Sequence, residues 1–479
     1  MLFRSKILQK MMKGAKVLPF LFCLVVVAFG TKESDLKQCR HHCKVLQHIE
    51  EYQREKCYDI CEKLYHSEKQ EKEEETNSYE GREEGENNPY VFNEEHFIMG
   101  IETEHGRIRV LPKFNERSKL LKGIENYRFA ILEANPKTFV VPNHWDADAV
   151  LFVAQGRGTL SLVRKGKRNS FNIRRGDVIK VCAGTTAYLI NRDDNEKLLI
   201  AKLLRPVSTP GHFEHFFGPG GRQNPESFYS AFSSEILEAA LNTRKDRLQR
   251  LFGQPREGVI IRASEEQIRV MSQHEEGGIW PFGGESKGSV NIYKQRPLRS
   301  NQYGQFYQVD ESNYKQLEDL DISINFANIT EGGMVGPIYN SRATKIAVVV
   351  QGEGYFEMAC PHLASKFTSS HETRIGSSYQ KVRSKLRRGM VLVIPPGHPF
   401  VGVTSTNQNL QIVGFNVNAR DNEIVPLAGR NNVMSQLERE ALELGFGLPA
   451  REVEQIFRSQ QEEFFFQGPG GRQSGRAAA

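Results

Sequence analysis

Beyond its first thirty residues this 479-residue chain has no segment long and apolar enough to span a bilayer, so a helical membrane protein is excluded for the mature form. Charge of one sign is missing as a block. The 64 basic and 58 acidic residues are spread through the chain, for a net +6, and no basic stretch interleaves with aromatics. The usual footprint of nucleic-acid binding is therefore absent. No Ser–His–Asp or Cys–His–Asn set can be identified. Cysteine is sparse, at seven residues. What remains is 39% hydrophobic residues with 29 Phe, enough for real cores. The length is too great for one ordinary domain, so two or more are expected.

The first thirty residues stand apart. Lys6, Lys10, Lys13 and Lys16 precede "VLPFLFCLVVVAFG", and Ala28-Phe29-Gly30 forms a small-x-small cleavage site. Residues 1–30 read as a secretory signal removed with Cys23; the apolar run is short for the alternative, a signal anchor. Six cysteines then remain: Cys39, Cys43, Cys57, Cys61, Cys182 and Cys360. The first four form "CRHHC" and "CYDIC" around the helix-friendly "KVLQHIEEYQREK", which lacks Gly and Pro. Cysteines at i and i+4 share a helical face, so residues 31–66 are expected to form an α-hairpin stapled by Cys39–Cys61 and Cys43–Cys57. Three pairings exist for four cysteines, and this one suits a hairpin. Zinc is the rival, opposed by the spacing and by an oxidising compartment. Residues 67–87 are charged and poor in apolar side chains, an acidic disordered linker open to proteolysis. Cys182 reads as a buried apolar thiol.

The remainder is duplicated. "LFVAQGRGTLSLV" (151–163) returns as "AVVVQGEGYFEMA" (347–359), "RRGDVIKVCAGT" (174–185) as "RRGMVLVIPPGH" (387–398), and "EHFFGPGGRQ" as "EFFFQGPGGRQ". Each half is short strands with Gly and Pro turns, then a helical tail, which predicts antiparallel barrels or sandwiches over 88–254 and 301–471. Residues 255–300 are read as an inter-domain helix and loop, Ser264 and Gln267 fitting a capping box, and 472–479 as a disordered tail. A second loop is expected over 363–385. The tail helices carry apolar faces that must be covered by their own barrel or by another subunit.

Three features invite chemistry. Cys360 and His362 end a predicted strand and, at i and i+2, share one of its faces. One thiolate with imidazoles suits copper first and zinc next. The repeat supplies a control, because Arg164 and Gly166 align with Cys360 and His362, and Thr185 aligns with His398 of "PPGHPF". Secondly, His144 stands near Asp146 and Asp148; a surface strand edge explains it more simply than a ligand site. Thirdly, Asn328 of "NIT" is a glycosylation acceptor.

The doubled blocks, with "NPESFYSAFSSEILEAALNT" and "LPAREVEQIF", resemble the vicilins, the bicupin seed storage globulins, over about residues 88–471. The resemblance implies a mainly β fold of two tandem cupin jelly-roll barrels, each followed by a helical arm. It further implies homotrimers joined through those arms, deposition in seed protein storage vacuoles through the secretory pathway, a nutrient-reservoir role without catalysis, and proteases as partners on mobilisation. The CxxxC pairs resemble α-hairpins found ahead of some vicilin cores. Enzymatic cupins hold a metal with two close His, a Glu and a later His. Here His144 is alone, the later position in the first half falls in "CAGTTAY", "IYNSRATKIAV" has no ligand, and Phe400 takes the later position in the second half. Some vicilins bind copper through Cys-x-His, a later His and an early Tyr, which transfers to Cys360, His362, His398 and Tyr90, the tyrosine arriving from a neighbouring subunit if its early position is taken at face value. The alternatives are a metal-dependent cupin oxidoreductase or copper store, and a precursor of an antimicrobial or protease-inhibitory hairpin.

Overall fold

A computed structural model describes residues 88–469 apart from 222, 255–257, 273–287 and 362–378. The signal segment, the hairpin with Cys39, Cys43, Cys57 and Cys61, the acidic linker and the tail 472–479 lie outside the described residues.

The repeat becomes two pairs of antiparallel sheets. In the first half a sheet built on Thr138–Trp145, Thr186–Asn191, Arg157–Arg164 and Lys167–Arg174 faces one built on Asp177–Val181, Ala147–Gln155, Leu198–Pro206 and Arg128–Ala134. The second half repeats the scheme. Gly333–Asn340, Phe400–Thr404, Glu353–Cys360 and Gln380–Arg387 form one sheet, and Val391–Ile394, Thr344–Gln351, Leu410–Val417 and Ile322–Ile329 the core of the other. The fold is mainly β with jelly-roll sheets, as the repeated strand-and-turn spacing predicts.

The larger sheets are buried on both faces. Along Leu198–Pro206, Leu198, Ile200 and Leu204 enter the first barrel's core, whereas Ala201 and Leu203 join the cluster shared with the second half. Sheets covered on both sides read as nearly continuous apolar runs, which explains strands such as "LLIAKLL". Phe129 meets Phe415 edge-on across the seam, ring centroids 5.9 Å apart. Lys180 binds Asp319 through two short contacts, at 2.5 and 2.6 Å.

Each half also lends the other a strand. Val91–Phe92, at the start of the first half, pairs with Val391–Ile394 of the second. Val290–Asn291, leading into the second half, pairs with Asp177–Val181 of the first. Residues 290 and 291, expected in a loop, are thus a two-residue strand. The expected loop over 363–385 is shorter at its end, because Gln380–Arg387 is a full strand against Glu353–Cys360. Ser264 and Gln267 form the expected capping box ahead of the Glu265–Ser272 helix, each side chain bonding the other's backbone N–H. Cys182 is half-buried, not buried. It opens the turn that follows Asp177–Val181, its carbonyl accepting from Thr185 N, so one side of it is uncovered.

The tails are helical as their periodicity requires: Ser234–Leu241 and Lys245–Phe252 in the first half, Arg439–Phe446 and Ala450–Phe457 in the second. Asn242 and Gly447, both left-handed, stop the first helix of each pair. Leu237, Leu248, Leu442 and Val453 are buried, but Ile236, Leu251, Leu444 and Ile456 stay exposed, Leu444 by 86%.

Candidate metal centre

Cys360 is the last residue of its strand and fully buried. Register brings a turn to it. Met358 pairs with Phe400, and Ala359 N donates to Pro399 O at 2.8 Å, which sets the turn 395–399 against the strand end. Gly397 adopts a left-handed φ of 73° in that turn and donates to Asn340 O. His398 follows, 4% exposed.

The third group comes from the exchanged strand. Val393 N donates to Tyr90 O at 2.8 Å, extending the Val91–Phe92 pairing by one bond. Tyr90 is fully buried, its hydroxyl 3.4 Å from Cys360 Sγ and its ring centroid 6.2 Å from that of His398. The tyrosine therefore reaches the site from the same chain. The expectation of a neighbouring subunit is corrected, because the exchange between halves carries the chain start onto the second barrel.

His398 Nδ1 lies 3.0 Å from Pro396 O. A carbonyl only accepts, so Nδ1 carries the proton and Nε2 keeps its lone pair. Metal-ligating histidines are commonly held in this way, with the other nitrogen donating to a backbone carbonyl. Burial works against a charged imidazole, yet its hydrogen bonds with Cys360 and with the Pro396 carbonyl outweigh it and hold His398 above its ordinary value. Burial, then the contact with Cys360, pushes the Tyr90 phenol far up. The three groups form a buried set of thiol, imidazole and phenol, a donor set that fits copper and, next, zinc.

His362, the fourth expected donor, lies outside the described residues. Among the described residues no group of three or more His, Cys, Asp or Glu stands close enough to hold a metal. The second barrel's set consists there of Cys360, His398 and Tyr90.

The other candidates have structural work. His144 stacks on Phe216, centroids 5.0 Å apart, with Phe228 edge-on. Asp146 accepts from Glu214 N at 2.8 Å. Asp148 accepts from Ala183 N and Arg205. Ala187 and Phe400, both buried, occupy the positions where an enzymatic cupin keeps its later histidine. Asn328 sits within the Ile322–Ile329 strand, its side-chain oxygen accepting from Gln411 Nε2 at 3.2 Å.

Sequence reasoning passed over one group altogether. Lys202 and Lys345 are buried on core strands, 7% and 8% exposed. A lone lysine inside "LLIAKLL" or at the head of "KIAVVV" was the signal.

A cupin family model matches residues 290–454. A vicilin of Juglans regia is 53% identical, over 92% of this chain and 93% of its own length. A Macadamia integrifolia protein described as vicilin-like antimicrobial peptides is 49% identical over 81% of this chain, which covers 60% of that protein. The crystal structure of vicilin from Corylus avellana superposes with a TM-score of 0.73 at 53% identity, covering 80% of this chain and 100% of that one.

Proposed function

The chain belongs to the vicilin family, and from that premise we propose that it is a seed storage globulin, trimeric through its helical arms, that holds one copper ion per chain in the second barrel. It is made for the secretory route and the protein storage vacuole, and it is no enzyme. The observation that carries the metal assignment is the convergence of Tyr90, Cys360 and His398, brought from three remote segments into one buried cluster. His362 is the fourth donor by its place two residues after Cys360. Copper bound there would supply a soft, redox-capable centre. The chain's own residues orient the donors, fix the imidazole tautomer and keep water out. Zinc fits the same donors second best. The trimer reading is supported by the exposed apolar residues of both arms, including Leu444, Ile456 and Ile236.

Elemental analysis of native protein tests the centre. About one copper per chain is expected, with none in Cys360→Ala of unchanged secondary structure. A wild-type protein that stays metal-free after incubation with copper would sink the assignment.

A second reading concerns residues 31–66. The Macadamia relative is described as vicilin-like antimicrobial peptides, which makes release of the expected hairpin as an antimicrobial peptide the activity to assay first, with protease inhibition second. Recovery of the excised, doubly disulfide-bonded segment from seed extract supports it; a segment found only on the intact chain opposes it.

A further inference from the structure

We infer that the lysines inside the barrels, Lys202 foremost, are covalent acceptors for small aldehydes, a role that goes beyond the storage reading and does not depend on it.

Lys202 alternates with Ile200 and Leu204, which line the first barrel's core, so its side chain enters the barrel. A buried ammonium ordinarily brings a carboxylate with it. Here burial alone acts on the amine and lowers it from 10.5 to about 8. His215, which feels the charge of Lys202, is itself pulled down to about 4 by burial and then by that charge, so it is neutral and no counter-ion. Asp146, the acid that acts on His215, is engaged with Glu214 N. The Nζ stands 5.3 Å from the centroid of the Trp145 ring. Trp145 is 4% exposed, and its indole N–H is buried without an acceptor. An amine and an unused N–H donor therefore share one interior, and among the described residues neither has a carboxylate to satisfy it.

The second barrel reaches the same pairing from different positions. Gly184 N donates to Trp145 O at 2.9 Å, and Gly397 N donates to Asn340 O at 2.8 Å, so Asn340 stands where Trp145 does. The Asn340 Nδ2 donor is also buried without an acceptor. Strand register sets Gly414 at the place of Lys202 and Lys345 at the place of Ala149. The carbon stem of Lys345 passes 3.2 Å from where a Gly414 Cβ would stand. The lysine has moved to the neighbouring strand, and the vacated position is glycine. Burial again lowers it to about 8. Its Nζ differs in donating to Asn325 Oδ1 at 3.0 Å, which restrains it.

The chemistry follows from these parts. At pH 7 about a tenth of such amines are neutral, against roughly one in three thousand for an ordinary lysine. The nitrogen lone pair attacks the aldehyde carbon while the carbonyl oxygen accepts from the Trp145 N–H. The carbinolamine then loses water, the oxygen leaving with both hydrogens that the nitrogen held, and an imine remains. No electron is gained or lost.

The test is reductive trapping on the full wild-type chain with acetaldehyde and cyanoborohydride at pH 7, read by peptide mass mapping. Lys202 is expected to gain the ethyl group at least about tenfold faster than exposed Lys122, with Lys345 between them. The preference should vanish in urea. Trp145→Phe should slow Lys202 several-fold and leave Lys345 unchanged, so Lys345 reports that the fold survives. Labelling of Lys202 no faster than Lys122, or a preference that persists in urea, would overturn the proposal.

Discussion

One hairpin occurs twice in this molecule and turns in two different ways. In the first half Arg157–Arg164 and Lys167–Arg174 are joined by Lys165 and Gly166, both with positive φ, 50° and 70°. Such a two-residue turn matches the natural twist of the strands. In the second half Glu353–Cys360 and Gln380–Arg387 hold the same register, Gly354 opposite Leu386 where Gly158 faces Ile173, but residues 361–379 lie between them. The strand ends in Arg164 in one case and Cys360 in the other. The facing turn carries Thr185 or His398, and the exchanged strand brings Gly288 or Tyr90 to the corresponding place. One barrel thus serves as the other's negative control: the framework is shared, and among the described residues the proposed donors sit only where the turn was opened.

The sharpest way to break this comparison is to close that turn. Replacing residues 361–379 by Lys-Gly gives the second hairpin the connection of the first and removes His362. Copper is expected to fall from about one per chain to none or nearly none, while the folded far-ultraviolet circular dichroism spectrum persists. Full copper binding would show that Cys360, His398 and Tyr90 suffice, and collapse of the fold would show that the segment is structural. Next in size is the seam. Phe129 and Phe415 are fully buried and touch edge-on, so either change to Ala should cost about 3–5 kcal/mol in denaturant unfolding. The double mutant should lose less than the sum, because the two rings share one contact. Strict additivity would mean that the halves are not coupled there.

The interior lysines sharpen the comparison with the opposite sign. A group whose folded pKa is depressed from 10.5 to about 8 costs stability in full below pH 8, and the cost fades as pH rises towards 10.5. Lys202→Met should therefore stabilise the protein at pH 7 by up to about 3 kcal/mol, with the gain gone above about pH 10.5. Lys345→Met should gain less, because it strips Asn325 Oδ1 of one of its two donors, leaving only Asn416 Nδ2. Equal gains would show that the Asn325 bond contributes nothing.

Sequence patterning made the duplication, both arms and the capping box legible, since each rests on local periodicity or spacing. Cys360 and His398 were legible through their absence from the sister half. The exchanged strands were not. Val91–Phe92 and Val290–Asn291 are too short to show a period, and their partners lie in the opposite half of the chain. Hence the donor Tyr90 was visible only by resemblance, and its route was misjudged. The lysines were missed for a related reason. On a sheet buried on both faces, alternation cannot tell which side a polar residue enters, so the pattern around Lys202 did not single it out.

The smallest effect separates a turn that only turns from one that also positions. Gly166 and Gly397 both have left-handed φ, 70° and 73°, and a Cβ at either would meet nothing within 4 Å. Alanine at either site meets the same backbone penalty, about 1 kcal/mol in unfolding measurements. Any relief of that strain would be felt differently. Around Gly166 it would move only the exposed end of a hairpin. Around Gly397 it would move His398, whose ring is aimed by the Pro396 carbonyl and Cys360. Gly397→Ala is therefore expected to weaken copper binding about tenfold, as loss of an orienting contact commonly does, and Gly166→Ala to leave it unchanged. Equal copper affinities for the two variants at equal stability cost would mean that the 395–399 turn does not position the imidazole, and that Cys360 alone holds it.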